Sequence, residues 1–158
     1  MIARGMTIRI RRSGTRVPVQ SLAIGDLVYD PVCDNYTEII DILSRDSAGL
    51  GQRLVRIRAH ALGQASPSED ILVSRQQPVG RSDRQHATGP LRISFGPAYH
   101  LGEELQLETK LFALFTERPC CVSVAGALLR LVDPSSLSPM PYAVSGSAFI
   151  RPSMSRKV

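Results

Sequence analysis

The sequence predicts a single all-β domain of many short antiparallel strands, and three observations favour this fold class. Apolar residues alternate with polar ones over short runs, which is the two-residue period of a half-buried strand. β-branched residues fill these runs, while Gly, Pro, Asp, Asn and Ser separate them. A chain of 158 residues, 43% of them hydrophobic, is long enough for one buried core. We expect this domain to occupy residues 1–132.

The alternating runs give the order of the predicted strands. They are MTIRIR, RVPVQSL, GDLVYD, TEIIDIL, RLVRIRA, DILVSR, LRISF, LQLETKLFALF, CCVSVAG and ALLRLV. Between them, AHALGQ has the composition for at most one helical turn, and QASPSE and GRSDRQHATGP are predicted surface loops because they are polar and without periodicity. Residues 133–158 are rich in Ser and Pro, which predicts an extended or partly disordered tail with a candidate edge strand at Tyr142 to Ile150.

Composition limits the partners we expect. Nineteen basic and fourteen acidic residues give a net charge of +5, which permits binding of an anionic surface. Arg9, Arg11 and Arg12 are the candidate anion-binding residues, but their alternation with apolar residues is typical of the solvated face of a strand. No nucleic-acid recognition motif accompanies them, so we expect no nucleic-acid partner.

The cysteines and the termini predict further absences. Cys33, Cys120 and Cys121 are an odd number without CxxC spacing, so we expect neither a disulfide framework nor a metal site, and no cofactor is implied. The opening MIARGMTIRIRR lacks the apolar core of a signal peptide, and no run approaches the roughly 18 apolar residues of a membrane span. We therefore expect a cytoplasmic protein that has no membrane partner and binds either an unknown protein or nothing.

The opening segment resembles a known family. MIARGMTIRIRRSGTRVPVQSLAIGDLVYD places Gly5 near the start and continues into PVQSLAIGDLV, similar to the "PV..L..GD.V" run of Hint (hedgehog/intein) domains, and most similar to their free-standing bacterial relatives. LVRIRAHALG and DILVSRQQPV resemble the family's "RIRAGALG" and "DLLVSP.H.V". FGPAYHL resembles its "PA.HL", and the ERP segment that follows lies where the family has "DRH". The resemblance covers about Met1 to Leu131 and implies a compact all-β fold of long bent hairpins.

The resemblance also implies a chemistry, intramolecular acyl transfer followed by peptide cleavage or splicing. The first residue of such domains, usually Cys, attacks the preceding carbonyl. A His three positions after a Thr or Ser assists the leaving nitrogen. By resemblance, the nucleophile position falls on Met1, the Thr/Ser position on Ser74 and the His position on Gln77. A thioether cannot carry the acyl group, and a glutamine cannot act as a general acid or base near neutral pH.

Further positions bear on activity. Glu117 begins the ERP segment, again without the family's histidine. Cys120 or Cys121 as nucleophile, with His100 as base and Glu117 as orienting carboxylate, forms an alternative site. A cysteine within an apolar strand is more often an inert small hydrophobe, and His60, His86 and His100 are each more often ordinary surface or hydrogen-bonded histidines.

Three hypotheses remain open from the sequence. The preferred one is a degenerate Hint-type domain that has lost self-cleavage and serves a binding or structural role. The second is an active self-processing domain, which requires a native first residue that is Cys. The third is a basic β module that binds an anionic polymer through its arginines, with an affinity that falls steeply with salt.

Overall fold

The strands of this protein form two antiparallel sheets that enclose a common core. The computed structural model describes residues 1–48, 53–63, 66–83 and 92–131. The strands in chain order are β1 (Ile2–Ala3), β2 (Thr7–Arg9), β3 (Arg16–Pro18), β4 (Leu27–Asp30), β5 (Asn35–Asp46), β6 (Leu54–Ile57), β7 (Ile71–Ser74), β8 (Pro78–Asp83), β9 (Arg92–Pro97), β10 (Glu103–Leu105), β11 (Lys110–Thr116), β12 (Cys121–Val124) and β13 (Ala127–Arg130). The all-β prediction is confirmed.

The larger sheet has seven strands in the order β10-β6-β7-β1-β11-β5-β4. Its longest ladder joins β5 and β11, from Lys110 opposite Asp46 to Thr116 opposite Ile39, with a bulge between Phe115 and Thr116. The short β1 lies between β7 and β11, because Ile2 pairs with both Val73 and Phe112. The amino-terminal residue therefore lies at the centre of the sheet.

The second sheet has six strands in the order β3-β2-β12-β13-β8-β9. Val124 of β12 pairs with Ile8 of β2, so the first hairpin is attached to the last one. β13 pairs with β8 on its other side, through Leu129 opposite Val79. The polypeptide runs from β7 in the larger sheet to β8 in the second over only three residues, and this crossing brings the two sheets together beside Met1.

Alternation along the strands explains which side chains fill the core. In β7, Ile71 and Val73 are fully buried while Leu72 and Ser74 are half-buried. The same period places Val122 and Val124 of β12 inside. These residues belong to one apolar cluster with side chains from both sheets. A smaller cluster of Ala3, Leu54 and Leu111 lies apart from it, and the Met1 side chain packs against that cluster.

Several boundaries differ from those predicted. LQLETKLFALF contains two strands, β10 and β11, because residues 106–109 leave the ladder between them. Gly80 to Asp83, predicted as the start of a surface loop, continue β8 and pair with β9. AHALGQ forms hydrogen-bonded turns over its described part, within the predicted limit of one helical turn. His86, the tail from Asp133 and the candidate strand at Tyr142 to Ile150 lie outside the described residues.

Two absences can be stated for the described ranges. No helix within them has both the length and the hydropathy needed to cross a membrane. Across the same ranges, no group of three or more His, Cys, Asp or Glu side chains is arranged to hold a metal ion.

Candidate functional site

The three positions singled out as nucleophile, hydroxyl and histidine positions lie together. The Met1 amino group donates hydrogen bonds to Ser74 Oγ at 2.7 Å and to Gln77 Oε1 at 2.9 Å. Seventy-three and seventy-six residues separate these partners along the chain. The contact therefore depends on the tertiary pairing of β1 with β7, and we call Met1, Ser74 and Gln77 the amino-terminal site.

Local backbone geometry presents the two side chains to Met1. Ser74 is the last residue of β7, and its N–H donates to Met1 O at 2.8 Å, which extends the β1–β7 ladder by one rung. The chain then turns, because Gln77 N donates to Ser74 O at 3.1 Å. The first and fourth residues of a β-turn lie close together. In Ser-Arg-Gln-Gln these are Ser74 and Gln77, and both of their side chains point toward Met1.

The Gln77 side chain is buried and fully hydrogen-bonded. Its Nε2 donates to Pro78 O at 3.1 Å and to Arg130 O at 2.9 Å, while Oε1 accepts from Met1. Two carbonyl oxygens on one side and an amino group on the other fix which way the amide points. Gln77 is 5% exposed. It ties β1, β8 and β13 to one point, which is a structural function that needs no proton transfer.

Burial also changes the acidity of the Met1 amino group. Removal from water lowers its pKa from 8.0 to about 5, because the charged ammonium form loses hydration. At neutral pH the group is therefore an uncharged amine with two N–H bonds. Ser74 Oγ and Gln77 Oε1 accept those two bonds, so both of its hydrogens have partners.

The site holds neither a nucleophile suited to an acyl shift nor an acid. The Met1 side chain ends in a thioether and packs against apolar neighbours. Gln77 binds by hydrogen bonds alone. Ser74 Oγ is the one hydroxyl among the three, and it is already an acceptor for Met1. The arrangement can hold a backbone amino or amide group in place. Apart from the Met1 amino group itself, it carries no residue that can take up or release a proton near neutral pH.

The structure does not bring Glu117 to this site. Ile2 pairs with Phe112, whereas Glu117 lies beyond the end of β11 at Thr116, after the bulge that follows Phe115. The Glu117 N–H donates to Glu38 O at 3.1 Å, and its carboxylate lies 3.9 Å from Arg118 Nε. Neither contact involves Met1, Ser74 or Gln77. Glu117 lies at the end of the β5–β11 ladder.

The alternative arrangement of cysteine, histidine and carboxylate does not form within the described part of the chain. His100 is exposed at the end of a short 3₁₀ turn, and its ring packs edge-on against Tyr99 with centroids 4.3 Å apart. No hydrogen bond between described residues joins His100 to Cys120, Cys121 or Glu117. Burial raises the pKa of Cys120 to about 12 and also raises that of Cys121, with the charge of Asp30 as the second cause in both.

Sequence reasoning overlooked the residue that organises this cysteine region. Asp30 is 2% exposed, and its two carboxylate oxygens accept the backbone N–H groups of Val32, Cys33 and Cys121. It thereby links the turn after β4 to the start of β12. An aspartate followed by Pro31 at the end of an apolar strand is a turn signal, and this was the one sequence cue available.

The three candidate anion-binding arginines differ in their contacts. The Arg9 guanidinium donates to the carbonyls of Arg11 and Arg12 and lies 4.8 Å from the Tyr29 ring centroid. Arg12 forms an ion pair with Asp34 at 2.9 Å. Arg11 lies on the wall of a surface groove. Arg9 thus braces the turn of the β2–β3 hairpin, Arg12 joins that hairpin to the β4–β5 turn, and Arg11 is exposed on the groove wall.

Comparison with known proteins adds no family assignment. No protein-family model matches the chain, and no curated protein is significantly similar to it.

Proposed function

We propose that this chain is a Hint-type autoprocessing domain that has lost self-cleavage and serves a binding or structural role. The observation that carries the proposal is the meeting of Met1, Ser74 and Gln77. The resemblance of the sequence segments to Hint motifs assigns these three positions without any structural information. Their direct hydrogen bonding is what a Hint-type arrangement requires of the first residue and the central block.

The loss of activity follows from what occupies the three positions. Self-cleavage begins when a side chain at the first residue attacks the upstream carbonyl carbon, which breaks the C–N bond and transfers a proton to the nitrogen. Met1 offers no nucleophile for that attack, and Gln77 offers no proton for the leaving nitrogen. Gln77 instead binds Arg130 O and Pro78 O, so the histidine position has become part of the structural network.

Restoring the two missing groups tests the proposal. A small reporter protein is fused directly before residue 1 of the chain, and the fusion is incubated with and without a small thiol. Intact mass spectrometry follows the unmodified fusion, Met1→Cys, Gln77→His and the double substitution. In the double variant the Met1→Cys thiol attacks the upstream carbonyl, so that the reporter becomes attached to this thiol as a thioester. The small added thiol then exchanges with it, which releases the reporter as a thioester of the small thiol and regenerates the free cysteine.

We expect the unmodified fusion and Gln77→His to stay intact, and the double variant to release the reporter only with thiol. Cleavage of the unmodified fusion at the junction would contradict the proposed loss and revive the self-processing hypothesis. An inert double variant that retains the circular dichroism and thermal midpoint of the parent would contradict the Hint assignment. Adding Ser74→Ala to the double variant measures what the hydroxyl contributes.

A further inference from the structure

The β2–β3 hairpin, which we call the first hairpin, and the β4–β5 hairpin enclose a surface groove. Its volume is about 370 Å³, and its apolar walls are Ile10, Val17, Leu22 and Leu27. Tyr36 and Arg11 also line the groove. We call this the Leu27 groove. Its lining includes none of Met1, Ser74 and Gln77, so it is separate from the amino-terminal site.

Large apolar side chains at the groove are exposed to water. Leu27 is 54% exposed, Tyr36 is 42% exposed, and Ile24 in the adjoining turn is 62% exposed. Exposed apolar residues that occur singly need no explanation, whereas a group around a concave surface indicates a binding site. Tyr36 is also held in place, since its hydroxyl accepts the Arg12 backbone N–H at 3.2 Å and its ring lies 5.4 Å from Tyr29.

The charge beside the groove indicates the class of partner. Arg9 of β2 lies directly opposite Arg16 of β3, and like charges in that position destabilise a hairpin. Within the described ranges, Arg12 is the one arginine of this hairpin that pairs with a carboxylate, so Arg9, Arg11 and Arg16 have none. Asp26, the acidic residue in the groove lining, uses its carboxylate to accept the Ala23 N–H at 2.8 Å.

We propose that the Leu27 groove binds a peptide segment that carries apolar side chains flanked by acidic ones. An apolar side chain of the peptide covers Leu27 and Tyr36, and its carboxylates bind the guanidinium groups of Arg11 and Arg16. These carboxylates form charge-assisted hydrogen bonds with the two guanidinium groups. The proposal rests on the binding role suggested above and names the partner class for it.

Three fluorescein-labelled peptides test this by anisotropy with the full 158-residue chain. The first is Gly-Asp-Glu-Leu-Asp-Glu-Phe-Glu-Asp-Gly. The second replaces its Leu and Phe with Ser, and the third replaces its acidic residues with Asn and Gln. We expect only the first to bind with a Kd in the micromolar range, because both the apolar and the charged contacts are needed for measurable affinity.

Matched variants locate the binding. Leu27→Ser and Arg11→Ala are expected to raise the Kd about tenfold each. Leu107→Ser, at a leucine of similar exposure, and Arg45→Ala, at an exposed arginine of β5, are expected to change it less than about twofold. If Leu27→Ser lowers the thermal midpoint, Ile24→Ser in the exposed turn replaces it.

Three results would overturn the inference. They are no binding of the first peptide, equal binding of the Ser-substituted acidic peptide, and affinity that the groove variants leave unchanged. Equal binding of the acidic peptide would favour general attraction of anions by the hairpin. The double variant used in the fusion experiment leaves the Leu27 groove intact, so failure here and failure of the Hint assignment are separate results.

Discussion

The side-chain amide of Gln77 donates a hydrogen bond to the main-chain carbonyl of Arg130 at 2.9 Å. Gln77 is the last of the three residues that cross between the two sheets, and Arg130 ends the last described strand. The same amide accepts from Met1, so one side chain joins the beginning, the middle and the end of the domain. Under the proposed Hint assignment this is the histidine position, and here its side chain stabilises the fold instead.

Replacing this amide tests its structural role. Gln77→Leu removes the amide that binds the carbonyls of Pro78 and Arg130, and it removes one of the two acceptors of the Met1 amino group. Each buried unsatisfied group costs about 1–3 kcal/mol, so we expect the free energy of unfolding to fall by at least about 2 kcal/mol in urea denaturation. Gln20→Leu is the control, since Gln20 is exposed and accepts one bond from Gly5 N. Equal stability of the two variants would refute the role.

The buried amino group of Met1 predicts a pH dependence of stability. Its pKa is about 5 in the folded state against 8.0 ordinarily, so the unfolded chain binds more protons between these values. The contribution of this group to the free energy of unfolding is fully present above pH 8 and is lost as the pH falls toward 5. The free energy of unfolding changes by at most about 1.4 kcal/mol per pH unit. Urea denaturation of the 158-residue chain across this range measures it. A chain acetylated at Met1 lacks this titration and is the control, and identical pH profiles of the two would contradict the prediction.

The three cysteines are expected to react at very different rates. Cys33 is exposed, Cys120 is buried, and burial raises the pKa of both Cys120 and Cys121. Because the thiolate is the reactive form, iodoacetamide at pH 8 should modify Cys33 first and the other two slowly until urea is added. Peptide mass mapping follows each site, and Cys33→Ser should remove the fast phase. Rapid alkylation of Cys120 or Cys121 in the folded protein would contradict this prediction and would support the hypothesis that one of them is a nucleophile.

Asp30 is expected to be a strong determinant of stability. Asp30→Asn keeps one acceptor oxygen, while its new NH₂ group faces at least one of the backbone N–H donors now bound by the carboxylate. We expect a loss of about 1–3 kcal/mol in the free energy of unfolding. Asp41→Asn is the matched control, because Asp41 is exposed and its carboxylate accepts only the neighbouring Ile42 N–H. A loss no larger than that of the control would show that the carboxylate is dispensable.

The fold class and many of the strands were predictable because alternation is a local signal. ILVS and ALLR became β7 and β13 nearly as expected, since each buries every second side chain. Residues 106–109 were not separated from the strand pattern, because leaving a ladder depends on which backbone groups find partners. Gly80 to Asp83 looked polar and irregular, yet β9 pairs with them, and such pairing is decided by tertiary structure.

The candidate site was predictable only in part. Met1, Ser74 and Gln77 came from motif order, and no composition or periodicity would have selected them. Asp30 was missed because an aspartate before a proline predicts an exposed turn, while its burial depends on β12 packing over the turn. The Leu27 groove could not be predicted from local patterns either. It forms between two hairpins, and their relative position depends on tertiary packing.

The measurement that most directly tests the central claim is the mass of the products from the reporter fusion carrying Met1→Cys and Gln77→His. The account predicts release of the reporter as the thioester of the added thiol, together with a chain that begins at residue 1, and no release from the unmodified fusion. A folded double variant that stays uncleaved with thiol would contradict the claim that Met1 and Gln77 occupy the former catalytic positions of a Hint domain.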